Sequence, residues 1–142
     1  MLSRLQKGHP IDDLQPVVQA ADVIACQDAV RDIHLDDKVK KYILDIVHAS
    51  REHEDVLLGG SPRASIALFR CAQALAAIQG REFVIPDDVK RMAMPVLAHR
   101  LILRPESRLR KKTPAAVVNE LVTDAKVPVL DRAVQNVREY FS

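Results

Sequence analysis

The chain has 142 residues, a formal net charge of +2 and a hydrophobic fraction of 48%, which fits one globular domain and excludes a disordered chain. Only 4% of the residues are aromatic and four are Gly, so a β-sandwich or β-barrel is disfavoured. The weak charge does not by itself indicate nucleic-acid binding, and no apolar run reaches the roughly 18 residues that span a membrane.

Residues 1–19 are polar, contain proline and lack a helical period, so we expect an extended connection. This opening is too polar for a signal peptide, and we expect a cytoplasmic protein. Residues 20–31 have apolar side chains at helical spacing, which predicts a short helix. Cys26 in that helix and Cys71 further along lie in apolar patterns, which predicts two buried, reduced thiols.

The next predicted helix begins at Asp36-Asp37 and runs to about Glu54, since Asp caps the free N–H groups of a helix start. Its apolar residues recur at helical spacing and predict one buried face. They are Val39, Tyr42, Ile43, Ile46 and Val47. Gly59-Gly60 then breaks the chain and is expected to let the backbone turn tightly.

A helix is predicted from Pro62 to Gln79, with Ser61 as its N-cap and Gly80 as its stop. Apolar residues cover nearly its whole circumference, which predicts a position at the centre of a bundle. A brief extended segment is expected at 81–85.

The following helix is predicted to start at Pro86, with Asp87-Asp88 in its first turn. Pro95 lies inside this helix and is expected to kink or split it. The apolar run at 101–103 has no clear type, and residues 104–112 are predicted to be a basic loop.

Two further helical patterns complete the chain, from Thr113-Pro114 to about Ala125 and from Leu130 to Phe141. The sequence therefore predicts an all-α fold, a small bundle of five to six helices with room for one short extended pair. The expected organisation is a connection over 1–19, a helical domain over 20–129 and a helical extension over 130–142.

Motifs for catalysis or metal binding are missing. The sequence contains no GxxxxGK[ST] phosphate loop, no CxxC pair and no HExxH helix. His48 and His53 are five residues apart and do not share a helix face well, so solvated side chains are favoured over a zinc site. Three Asp pairs resemble carboxylate dyads, but capping explains the two at helix starts. We therefore predict no catalytic residue and no metal ligand.

Arg63 is the distinctive candidate, because a cation is unfavourable at the second position of a helix. A guanidinium beside the free N–H groups of a first helical turn would form an anion site suited to phosphate. The alternative is a solvent-facing arginine that tolerates the helix dipole. Spacing alone leaves both readings open.

Several motifs occur together in the order of one known family. They are the GGSPRAS stretch at 59–65, the alanine-rich helix after it, GREFVIPDDV at 80–89 and VLAHR at 96–100. These motifs resemble the C-terminal lid of MoxR-type AAA+ ATPases, and residues 8–18 resemble the stretch where that family leaves its ATPase core. The resemblance covers roughly residues 4–129.

The resemblance implies a helical AAA+ lid packed beside a nucleotide. It makes Arg63 the sensor 2 arginine, which reaches the γ-phosphate, with Ser61 as the helix N-cap beside it. ATP and Mg²⁺ are the implied cofactors of the intact protein, and neither is expected to bind this chain tightly. The family's Walker motifs, sensor 1 and arginine finger are absent, so we expect a lid fragment that does not hydrolyse ATP alone, from a parent ATPase.

The implied partners are an AAA+ core domain, further copies in a ring and von Willebrand factor A-domain proteins, in chaperone-like complex remodelling. Two other functions stay open. One is a small helical nucleic-acid binder that uses the basic run at 104–112, a function that the weak net charge disfavours. The other is an interaction bundle without a ligand. That run suits a solvated loop or a subunit-facing patch. His99-Arg100 matches a family position and suits the end of a helix.

Overall fold

The computed structural model of the protein describes residues 14–130. The helices are α1 (Ala20–Asp32), α2 (Asp37–Glu52), α3 (Pro62–Ile78), α4 (Pro86–Leu97), α5 (Pro105–Leu109) and α6 (Pro114–Asp124). Two short strands, β1 (Val56–Leu58) and β2 (Ile102–Leu103), pair antiparallel with Val56 opposite Leu103. The predicted all-α bundle with a short extended pair is confirmed, although β1 was not among the predicted segments.

Helix α2 follows its predicted pattern closely. The Asp36 carboxylate caps it by accepting a hydrogen bond of 2.7 Å from the Lys38 backbone N–H. All five apolar residues predicted to share a face are buried. Burial of this stripe against α3, α4 and α6 supplies much of the hydrophobic stabilisation of the domain.

Helix α3 packs most extensively against α4 and also contacts α1 and α2. Its buried stripe consists of small residues and one leucine, at Ala64, Leu68, Ala72 and Ala76, which lets α4 approach closely. The prediction of an all-round buried helix is wrong, because Ile66 is 62% exposed. The apolar composition of α3 did not indicate that the side with Ile66 faces solvent.

The end of α3 is set by Gly80, whose φ of +69° is the left-handed value that favours glycine. The Arg81 N–H donates to the Ala76 carbonyl at 3.0 Å and closes the last turn. The Arg81 guanidinium then binds both oxygens of the Asp88 carboxylate, at 2.8 and 2.6 Å. This hydrogen bonding raises the pKa of Arg81. The pair joins the end of α3 to the start of α4.

Asp88 also serves as the predicted capping residue of α4, since its carboxylate accepts a hydrogen bond of 2.9 Å from the Ile85 N–H. The predicted extended segment at 81–85 forms a single parallel bridge, between Phe83 and His34. Pro95 does not split the helix. Helix α4 continues through it to Leu97 and passes into a 3₁₀ turn at Ala98–Arg100.

The prediction of a loop over 104–112 is wrong, because residues Pro105–Leu109 form the short helix α5. Pro105 occupies its first position, where the missing N–H is not needed. Ser107 is buried within it, and Lys111 leaves the turn with a φ of 60°. Helix α6 begins as predicted, with the Thr113 hydroxyl accepting from the Ala116 N–H at 3.1 Å.

Helix α1 forms where predicted, but none of its residues is buried. The prediction of a buried Cys26 is therefore wrong, since that thiol is exposed, whereas Cys71 is half-buried. Helical spacing fixed the periodicity of α1 but did not identify a partner for its apolar side. The final predicted helix, beyond Leu130, and most of the predicted connection over 1–19 lie outside the described residues.

Candidate functional site

The start of α3 carries the candidate phosphate-binding group. Ser61 occupies the N-cap position as predicted, but its hydroxyl makes no capping hydrogen bond. The Ala64 N–H, a usual partner of such a hydroxyl, instead donates to the Ser61 carbonyl at 2.8 Å. Ser61 is therefore the N-cap residue by position, and no side-chain hydrogen bond caps the first turn.

The Arg63 side chain is exposed on this first turn. Within residues 14–130, no group forms a hydrogen bond or ion pair with its guanidinium, and the first turn of α3 contains no acidic residue. The partial positive charge of the 17-residue helix and the charge of Arg63 therefore add at one place. An anion with several oxygens, such as a phosphate, fits this arrangement.

The two glycines before α3 lie directly against the end of α2. A Cβ atom at Gly59 would come within 2.5 Å of the Ser50 carbonyl oxygen and 2.7 Å of the Arg51 backbone. Neither Gly59 nor Gly60 has a positive φ. Gly59 is thus needed because two backbones pack closely there, and Gly60 lies against the side chains of Val47 and Ser50.

Both polar groups of the Gly60 backbone are held by α2. Its N–H donates to the Ser50 hydroxyl at 2.9 Å, and that buried hydroxyl donates to the Val47 carbonyl at 2.6 Å. The Gly60 carbonyl accepts a hydrogen bond of 2.6 Å from Nε of Arg51. The start of α3, and with it Arg63, is therefore fixed relative to α2.

An apolar groove with a volume of about 370 Å³ runs between α2 and α3. Its α3 side includes Ile66 and Arg70, which follow Arg63 at i+3 and i+7 and so lie on the same face of the helix. The groove is lined by Lys40, Ile43, Leu44, Ser65, Ile66, Phe69 and Arg70. The surface next to Arg63 is thus apolar with a basic rim.

A second polar cluster, around Asp55, was not predicted from the sequence. Asp55 is only 5% exposed. Its carboxylate accepts a hydrogen bond of 2.5 Å from the Ser107 hydroxyl, and Arg110 and Lys112 lie 3.0 and 3.5 Å away. The Ser107 hydrogen bond, with the two nearby cations, lowers the pKa of Asp55. The cluster ties β1 to α5.

The same cluster brings together three groups of the type that bind metals, in His53, Asp55 and Glu120, with ligand atoms within 4.8 Å of one another. The Lys112 ammonium already lies 2.6 Å from Glu120, and this hydrogen bond lowers the pKa of the Glu120 carboxyl. Nε2 of His53 lies 3.3 Å from Glu120. Because Lys112 supplies the positive charge, the arrangement is a structural ion-pair network.

The remaining candidates are surface groups. Arg104, Arg108 and Lys111 of the basic run are exposed, whereas Arg110 and Lys112 are engaged by Asp55. His99 and Arg100 are exposed in the 3₁₀ turn after α4, where Nε of Arg100 donates to His99 at 3.2 Å. His48 pairs with Glu52 at 3.5 Å on the surface of α2. Among the described residues, none of these groups forms a hydrogen bond or an ion pair with Arg63.

Comparison with known proteins matches residues 48–121 to a family described as the AAA lid domain. The protein YeaC of Bacillus subtilis, described as uncharacterized, is 43% identical over 135 residues, which cover 95% of this chain and 42% of YeaC. Chaperone MoxR1 of Mycobacterium tuberculosis is 27% identical over 84% of this chain and 34% of its own length.

A crystal structure of a candidate ATPase from Cytophaga hutchinsonii superposes with a TM-score of 0.77 and 27% identity, over 81% of this chain and 38% of that one. The chain thus spans between 34% and 42% of the lengths of these proteins. In the described part of the chain, every helix is too short or too polar to cross a bilayer.

Proposed function

This chain belongs to the AAA lid domain family, and from that premise we propose that it is the nucleotide-responsive lid of a MoxR-type AAA+ ATPase. In this proposal Arg63 contacts the γ-phosphate of bound ATP. The observation that carries it is the exposed, unpaired guanidinium at the start of α3, in a first turn with neither a capping side chain nor an acid. The relative named Chaperone MoxR1 supports the family context.

The chemistry of the group suits the role. Mg²⁺-ATP, when bound in the intact protein, supplies the phosphoryl group that is transferred. A guanidinium donates two parallel hydrogen bonds to phosphate oxygens and balances negative charge that builds up there. Because ATP and ADP differ by one phosphate, Arg63 would be engaged with one and released with the other. The hydrogen bonds that join the Gly60 backbone to Ser50 and Arg51 would transmit that difference from α3 to α2.

The wider role follows the same proposal. We propose that the intact protein hydrolyses ATP, assembles as a ring and acts in chaperone-like remodelling in the cytoplasm. The name of the Mycobacterium tuberculosis relative, Chaperone MoxR1, supports the remodelling role. A von Willebrand factor A-domain partner is proposed from the family resemblance alone.

The proposal is tested by joining the ATPase core of the Bacillus subtilis relative in front of this chain and replacing Arg63 with Ala. We expect ATP turnover to fall at least about tenfold, as when one preorganised charge-stabilising donor is removed from an active site. Arg91→Ala is the matched control, because Arg91 is also an exposed helical arginine. Unchanged turnover in Arg63→Ala, with the parent chimera active, would refute the role of Arg63.

A further inference from the structure

We infer that Arg51 is a positioning residue for Arg63: it sets the start of α3 through the Gly60 carbonyl and does not contact the nucleotide itself. This inference rests on the proposed function of Arg63. Arg51 lies 12 positions before Arg63 in the chain, on α2 and not on α3.

The first step is the covalent path from Gly60 to Arg63. Only Ser61 and Pro62 lie between them, and proline fixes its own φ, so the path is short and stiff. The Ala64 N–H bonds back to the Ser61 carbonyl at 2.8 Å. A shift of the Gly60 peptide is therefore passed on to the first turn of α3.

The second step is the strength of the hold on Gly60. Nε of Arg51 donates to the Gly60 carbonyl at 2.6 Å, and a charged donor makes a stronger hydrogen bond than a neutral one. The Ser50 hydroxyl holds the Gly60 N–H from the other side. Gly59 lies against the Ser50 and Arg51 backbone so closely that no side chain fits. Two adjacent residues of α2 thus hold the two peptide units on either side of the Gly60 Cα.

The third step is the consequence for a phosphate contact. Arg63 has no partner of its own among residues 14–130, so the position of its Cα depends on the backbone that carries it. A displacement of about 1 Å at a reacting group costs up to roughly a hundredfold in rate. Loss of the Arg51 hydrogen bond would therefore reduce turnover without removing any group that touches the nucleotide.

The experiment uses the core-fused chain described above, with Arg51→Ala and Arg51→Gln compared. Glutamine is the informative replacement, because its amide nitrogen stands at the same number of bonds from the backbone as Nε of arginine but carries no charge. We expect kcat to fall roughly tenfold in Arg51→Ala and by less in Arg51→Gln, which can keep a weaker, neutral hydrogen bond to the Gly60 carbonyl. A Gln variant as slow as the Ala variant would overturn the inference, since the charge and not the hydrogen bond would then matter.

A double-mutant cycle separates positioning from an independent effect. Arg51→Ala should cause no further loss in a chain that already carries Arg63→Ala, because the two residues act through one contact. Additive losses would overturn the inference. If Arg63→Ala lowers kcat and Arg51→Ala does not, the inference fails while the proposed function stands. If Arg63→Ala has no effect, both fail.

Amide hydrogen exchange in the 142-residue chain alone gives a readout without nucleotide. Arg51→Ala should speed exchange at Gly60 and Ala64, whose N–H groups are hydrogen-bonded to Ser50 and to the Ser61 carbonyl, and Arg51→Gln should do so less. Arg51 is exposed, so both variants are expected to fold, and thermal unfolding followed by circular dichroism checks this. Unaltered exchange in folded Arg51→Ala would contradict the proposed grip on Gly60.

Discussion

At position 63 an arginine occupies a site where helix electrostatics disfavour a cation. Two features that commonly stabilise a helix start are absent here. Within residues 14–130 no acid pairs with Arg63, and the Ser61 hydroxyl does not cap the helix. Such an uncompensated charge is typical of a binding position, where local preference gives way to a ligand. The neighbouring Gly59 and Gly60 allow the start of this helix to contact α2.

The close approach at Gly59 gives a prediction about stability. In Gly59→Ala the new Cβ would lie 2.5 Å from the Ser50 carbonyl oxygen, so the two backbones must separate. We expect the free energy of unfolding to fall by about 1–3 kcal/mol, which is typical of overpacking, and urea unfolding measures it. A loss below about 0.5 kcal/mol, the range of an ordinary surface substitution, would show that the contact is dispensable.

Among the elements, α1 differs from the rest. It has helical periodicity and a first-turn acid, Asp22, that accepts a hydrogen bond from the Gln19 N–H at 2.8 Å. Its apolar side chains nevertheless remain in contact with solvent, with Ile24 59% exposed. Since most helical stability comes from packing an apolar face, α1 is the least supported long helix of the described part of the chain.

Amide hydrogen exchange tests that ranking. We expect the amides of α1 to exchange much faster than those of α3, because local opening of α1 exposes almost no new apolar surface. Helix α2, of similar length and with a fully buried stripe, is the internal control and should resemble α3. Equal protection of α1 and α2 would contradict the prediction and would indicate that α1 is covered in solution.

The polar cluster that joins β1 to α5 and α6 should make stability depend on pH. The pKa values of Asp55 and Glu120 lie below the ordinary 3.8 and 4.5 in the folded chain. Their contribution is therefore complete above those ordinary values and is lost as the pH falls through the lower, folded values. Asp55→Asn removes one of these groups but leaves an oxygen to accept the Ser107 hydrogen bond.

We expect the urea midpoint of the parent chain to exceed that of Asp55→Asn near pH 7, and the difference to shrink as the pH falls below the ordinary value of 3.8, where Asp55 of the unfolded parent takes up a proton. Urea unfolding at several pH values measures it. A difference that stays constant over this range would show that the Asp55 charge does not contribute.

Sequence patterns predicted the elements whose signals are local. Pro62, Pro86 and Gly80 marked helix ends, and the period of α2 identified its buried face. The patterns failed where the answer depended on distant contacts. Asp55 meets Ser107 across 52 positions, and no local pattern encodes such a pairing. The predictions for Ile66 and α1 failed for the same reason, because apolar composition indicates a tendency to be buried and does not identify the surface that would bury it.

For the whole molecule, the described bundle holds the charged Arg63 side chain at the start of α3. Helix α3 packs on α1, α2 and α4, and the contacts of Gly60 with Ser50 and Arg51 fix its first turn. A change at Arg63 is therefore applied to a helix that packs on several others. This is the arrangement expected of a lid that responds as a unit to the nucleotide beside it.

We propose that Arg63 distinguishes ATP from ADP by contacting the third phosphate. The most direct measurement is the affinity of the core-fused chain for a slowly hydrolysed ATP analogue and for ADP, in the parent, Arg63→Ala and the Arg91→Ala control. We predict that Arg63→Ala weakens binding of the ATP analogue by about tenfold or more, the loss expected for a charge-assisted hydrogen bond, and leaves ADP binding and the control unchanged. Equal weakening for both nucleotides, or none for either, would show that Arg63 does not distinguish them.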